Sequence, residues 1–123
     1  MRRIGGSLLA MGMVMASAHA QAEEPKLDTT ADLVAYCDTI GTADELQEGQ
    51  DFCDGFIAGS GLLYLELVRA GRIPKIVCAD PIPTIAQARE AFVAWATAHP
   101  EFMQAKPIDG LWQAMAETYP CPK

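Results

Sequence analysis

Apolar side chains recur at helical intervals along most of this chain, and prolines, glycines and one acidic stretch divide them into segments. The clearest run is Ile85, Ala88, Phe92, Trp95 and His99, at steps of 3, 4, 3 and 4, the period of a buried helix face. Thr84 precedes it with Gln87 three residues later, a Thr-x-x-Gln capping box. Pro100 ends it, because the residue before a proline is driven out of the helical region. A further helix begins at Pro107, whose missing amide costs nothing in a first turn, and carries Ile108, Leu111, Trp112, Met115 and Tyr119 inward. Toward the N-terminus, a helix opens at Thr29 or Thr30 with Asp32 in its first turn, turns Leu33, Val34, Cys37 and Ile40 to the core and stops at Gly41. A central helix is predicted from about Asp51 to Ala70, with Phe56, Ile57, Leu63, Tyr64, Leu67 and Val68 on its broad apolar face.

Between these elements lie two connections. Residues 42–50 are acidic, hold Leu46 as their one large apolar side chain and read as a loop. Residues 72–83 contain Pro74, Pro81 and Pro83 around Cys78, a density that excludes both a regular helix and a central strand. No stretch of six or more residues alternates between apolar and polar, so no sheet is expected. The pattern predicts an all-α domain over residues 29–123, a compact bundle of four main helices.

Glycine is costly inside a helix, by about 1 kcal/mol relative to alanine, yet the central helix carries Gly55, Gly59 and Gly61. Gly55 and Gly59 are one turn apart and share a face. They are read as a bare strip on which a neighbouring helix, or a second subunit, comes close.

The N-terminus has a different pattern. Met1-Arg2-Arg3, an apolar stretch from Leu8 to Met15 and small residues at Ala18-His19-Ala20 describe a secretory signal peptide over residues 1–20. Cleavage is placed after Ala20, with Ala22 as the competing site, and residues 21–28 are read as a disordered leader. An apolar stretch this short does not span a bilayer, which takes about 20 apolar residues, so removal rather than anchoring is expected. Export gives the four cysteines, Cys37, Cys53, Cys78 and Cys121, an oxidising environment. An even count in a short exported chain predicts two disulfides stapling the bundle. Antiparallel helix order favours Cys37 with Cys53 and Cys78 with Cys121; Cys53 with Cys78 is the main competitor. Metal ligation and haem attachment are not expected, because no C-x-x-C or C-x-x-C-H spacing occurs and His99 is the one histidine beyond the cleavage sites.

Charge narrows the partners. Without Arg2 and Arg3 the chain has seven Lys and Arg against sixteen Asp and Glu, a net charge of −9. Nucleic acid and anionic membranes are not expected as partners of such a surface. Ten acidic residues and a single Lys26 lie between Glu23 and Asp54, a patch suited to steering a basic partner.

Taken together, Cys53-Asp54-Gly55-Phe56-Ile57-Ala58-Gly59, Cys78 with Thr84 and Gln87, His99-Pro100 and Tyr119-Pro120-Cys121 resemble the signature of the Rap/Tai family of periplasmic immunity proteins. The likeness runs from about Leu33 to Cys121. Phe56 stands for the usual tyrosine, Leu62 where members often carry an acidic residue, and Pro81 for a proline nearer Cys78. The resemblance implies a helical, non-enzymatic dimer that protects its cell from a peptidoglycan amidase delivered by type VI secretion, by occluding the amidase's active site. No cofactor, metal or catalytic residue is expected. Exposure and charge single out Asp44, Glu45 and Glu48 in the acidic segment, and Arg72 and Lys75 in the proline-rich loop, as contact residues. The alternative is an acid-stress periplasmic holdase or another small exported helical binding protein. A cysteine nucleophile would need a free thiol beside a histidine, and His99, at a helix end before proline, reads as a structural cap.

Overall fold

Threonine hydroxyls open three of the four α-helices. The computed structural model describes residues 24–123, so the signal segment at 1–20 and both cleavage sites lie outside the described residues. Helix α1 spans Thr30–Cys37, α2 Ala43–Arg69, α3 Ile85–Ala98 and α4 Pro107–Thr118, with a short 3-10 turn at Pro100–Phe102. Thr29, Thr42 and Thr84 each accept a hydrogen bond from the third residue of the helix that follows, and Asp32, Glu45 and Gln87 reach back to the capping residue's amide. Such caps contribute about 1 kcal/mol each.

The second of these boxes corrects the reading of residues 42–50 as a loop. Thr42-Ala43-Asp44-Glu45 starts a helix of 27 residues, about 40 Å long at 1.5 Å per residue. The acidic composition suits this position: Asp44 and Glu45 lie in the first turn, where the unpaired amides favour negative charge. At the other end of α1 the reading overshoots. The helix ends at Cys37, and Ile40, expected inside, is 92% exposed. Ile85 and Ile108, also expected inside, lie at the surface at the starts of α3 and α4, as does Leu63 on α2.

The helices enclose one core. Leu33 of α1, Cys53 and Ile57 of α2, Phe92 and Trp95 of α3, and Leu111 of α4 form its centre, and Leu27 packs against it from before the first cap. Both disulfides have the expected pairing, Cys37–Cys53 with Cα atoms 5.1 Å apart and Cys78–Cys121 at 4.7 Å. The first ties the end of α1 to the third turn of α2; the second ties the proline-rich loop to the chain after α4. Arg89 of α3 and Asp54 of α2 form an ion pair across a third seam. Among the described residues there is no strand, only one isolated antiparallel bridge between Val77 and Pro120.

The glycines that permit close approach are different from those expected. Gly55 and Gly59 have open space above them, with no atom within 4 Å of an added Cβ. Within this chain, therefore, no helix packs on their strip. Gly49 and Gly110 are the tight positions: a Cβ at Gly49 would lie 2.1 Å from Thr39 Oγ1, and one at Gly110 would lie 2.3 Å from Thr30 Oγ1. Thr30 is fully buried, and its hydroxyl is committed to the carbonyls of Ala105 at 3.1 Å and Lys106 at 3.0 Å. It has nowhere to move. A Gly110→Ala variant is accordingly expected to lose about 1–3 kcal/mol, the usual cost of overpacking, read as a melting temperature roughly 5 °C lower or more in a domain of this size. An unchanged melting temperature would show that α1 and α4 are not in contact at this point.

Carboxylate hydrogen bonds also set an acid limit. The Asp32 carboxyl is held below its ordinary pKa chiefly by the Thr29 hydroxyl, Glu45 by the amide and hydroxyl of Thr42, and Glu117 by Gln113, then Trp95, with the nearby His99 adding to it. Each group is more acidic folded than unfolded. Its contribution is complete above the ordinary carboxylate range and disappears as pH falls through the lower, folded value. Melting temperatures are therefore expected to be level from pH 7 to about 5 and to drop below about pH 4, with a smaller drop in an Asp32→Asn, Glu45→Gln, Glu117→Gln variant. An equal drop in that variant would assign acid sensitivity to other groups.

Candidate functional site: an apolar groove beside the central helix

Four large apolar residues in succession, Leu62-Leu63-Tyr64-Leu65, cannot all face one core from a helix, because successive side chains are about 100° apart. Tyr64 takes the inward position. Leu62 and Leu65 are 67% and 54% exposed and form one wall of a groove with a volume of about 520 Å³. Ile57 and Tyr64 of α2, Ala88 of α3, and Leu111 and Met115 of α4 supply its buried floor. Ile82, 79% exposed, and Ile85 form the opposite wall at the entry to α3.

The proline-rich loop is held in place at this groove by several independent contacts. Tyr64 Oη accepts hydrogen bonds from the Ile76 amide at 2.8 Å and the Val77 amide at 3.1 Å. The Tyr64 ring lies against Trp112, with centroids 4.6 Å apart. The Cys78 amide donates to the Tyr119 carbonyl at 2.8 Å, next to the Cys78–Cys121 disulfide. The groove is thus preformed rather than assembled from a free loop.

Of the residues picked out from the sequence, Arg72 and Lys75 are exposed, and Lys75 itself lines the groove. Asp44, Glu45 and Glu48 are also exposed, but on the first turns of α2. The two sets lie at opposite ends of a helix about 40 Å long, and the fold does not bring them together. Glu45 Oε2 is already engaged, receiving the Thr42 amide and hydroxyl, each at 2.8 Å.

The signature residues serve the frame. Phe56 packs against the core, Thr84 and Gln87 cap α3, Pro100 opens the 3-10 turn and Pro120 pairs with Val77 beside the groove. His99 is committed as well. Its Nδ1 is 2.8 Å from the Trp95 carbonyl, its ring stacks on Trp95 with centroids 4.5 Å apart, and its Nε2 is 3.4 Å from Glu117 Oε2. All four cysteines are bonded to one another. Among the described residues no group of three or more His, Cys, Asp or Glu is arranged to hold a metal ion, and no helix is long and apolar enough to cross a membrane. The arrangement offers apolar contact area with a cationic edge, which is binding chemistry.

Sequence reading did not single out Leu62, Leu65 and Ile82 as a surface. The run of four apolar residues in α2 was the available signal for the first two; Ile82, alone between two prolines, has none.

In comparisons with known proteins, the family model described as Rap1a immunity proteins matches residues 29–121. No curated protein and no solved structure shows a significant match.

Proposed function

Since this chain belongs to the Rap1a immunity protein family, we propose that it is an exported, periplasmic inhibitor of a peptidoglycan amidase delivered by type VI secretion. It acts by occluding the amidase's active-site cleft and carries out no catalysis of its own. The observation that carries this reading is the family match, which takes in the whole disulfide-stapled bundle from the first cap to Cys121. Two disulfides in a domain of this size fit an oxidising compartment. The basic start and A-x-A site of residues 1–20 supply the route there.

Arg72 and Lys75 are assigned to the contact itself. Asp44 and Glu48, remote from them, are assigned to steering, a role that accelerates association and is sensitive to salt; Glu45 supports them from within its cap. The protein is also proposed to form a homodimer through the outer face of α2, where Gly55 and Gly59 lie open beside the exposed Leu63. A Gly59→Arg variant is expected to be monomeric by light scattering and to keep its helical fold by circular dichroism, with a melting temperature lowered only by the lost self-association; a dimer that persists would remove that face from the interface.

Co-expression tests the main reading. Cells producing a type VI peptidoglycan amidase from the same organism in their periplasm are expected to lyse, and cells producing this chain as well are expected to survive. Lysis that continues despite folded, exported protein would refute the immunity role.

A further inference from the structure

We infer that the groove beside α2 is where the effector docks, and that its occupant is an apolar segment of the effector carrying a carboxylate at the end that meets Lys75. This rests on the immunity reading above and adds a location and a partner chemistry to it.

Charge is the first ground. In a chain of formal net charge −7, Lys75 is the sole ionisable cation among the groove's lining residues, and no carboxylate lines it. Lys26, Arg69 and Arg89 each have a carboxylate partner, whereas Arg72 and Lys75 have none among the described residues. An incoming carboxylate at this edge displaces no internal ion pair. An apolar centre without charged residues and a polar rim is the usual anatomy of a protein–protein contact.

Length and order are the second. The α2 wall from Ile57 to Val68 extends about 16 Å, matching three turns of an amphipathic helix, a common way for a helix to enter a groove. Because the loop side is fixed by Tyr64, the Tyr119 carbonyl and the Cys78–Cys121 bond, little ordering cost accompanies binding. A second copy of this chain is a poorer occupant. Outside the groove's own walls, its exposed apolar side chains near a carboxylate are isolated ones, Ile40 two residues from Asp38 and Ile108 beside Asp109. One residue does not fill three turns of groove, and such head-to-tail contacts run on into open chains.

The test is effector-binding kinetics with oxidised, full-length mature protein. Leu65→Glu and Ile82→Glu, at exposed positions, are each expected to weaken the effector's Kd by roughly thirtyfold or more, as loss of a central contact does, mainly through faster dissociation. Lys75→Glu is expected to cost about tenfold. A control pair, Asp44→Lys with Glu48→Lys, is expected to slow association and leave dissociation unchanged. Wild-type affinity in both groove variants, with melting temperatures intact, overturns the inference while leaving the immunity reading standing. Loss of self-association in those variants with effector affinity retained assigns the groove to a second copy and overturns it too. No binding by the wild-type protein refutes the immunity reading, and the inference with it.

Discussion

Replacing Cys78 and Cys121 with serine is expected to lower stability by about 4 kcal/mol, and the loss is expected to be larger than for the other disulfide. The bond closes 43 residues of chain, against 16 for Cys37–Cys53, and loop-closure entropy places the two contributions near 4 and 3 kcal/mol. Small domains have about 5–15 kcal/mol in total, so either loss is a large part of the whole. The consequences differ in kind. Cys37–Cys53 lies in the core, whereas Cys78–Cys121 secures the loop that borders the groove. Its removal is expected to free residues 72–83 for proteolysis before the bundle unfolds. Urea denaturation of each serine pair, with limited proteolysis under native conditions, checks this. A Cys78→Ser, Cys121→Ser protein with the parent's midpoint and an uncut loop would show that Tyr64 and the Tyr119 carbonyl hold the loop unaided.

The second large effect is expected at Phe92. It is fully buried on α3, a helix packed against all three others, so no single neighbour can move to close the space a truncation leaves. Phe92→Ala is expected to cost about 3–5 kcal/mol, and Phe92→Leu less, since part of the volume is retained. Chemical denaturation measures both. A loss below about 1 kcal/mol for alanine would mean that the core is centred elsewhere. Neither substitution touches the groove's exposed walls. Where enough protein remains folded, effector affinity is expected to be unchanged, separating stability from contact.

Much of this fold was legible because local chemistry and spacing agreed. The Thr84–Gln87 box, the alternating three- and four-residue rhythm through Phe92 and Trp95, and Pro100 each marked α3 independently, and the order of helix ends favoured both disulfides over the Cys53–Cys78 alternative. The Thr42–Glu45 box is the same chemistry, but it was obscured by acidic composition; charge at a helix N-terminus is itself a helix signal. Gly55 and Gly59 were assigned to packing on spacing alone. Once Cys53 is taken as inward by virtue of its disulfide, Ile57 and Tyr64 follow on its face, and positions two residues beyond Cys53 and Ile57 point across the helix to solvent. Gly110, by contrast, depends on Thr30, a residue eighty positions away that only the tertiary fold brings near. The groove belongs to the same class. Its walls come from α2, the proline-rich loop and the start of α3, and its floor from α3 and α4 as well, so no single stretch of sequence contains it. What the sequence carried was its residue: leucines in α2 that the core had no room for.

We propose that this chain, a member of the Rap1a immunity protein family, neutralises an amidase by direct binding at its active site. The most direct measurement is release of cleaved peptide from purified peptidoglycan by the effector, titrated with this protein in its oxidised form. Activity is expected to fall linearly to near zero at one binding site per effector, and Leu65→Glu protein to need a large excess for the same inhibition. Undiminished amidase activity in the presence of excess folded wild-type protein would contradict it.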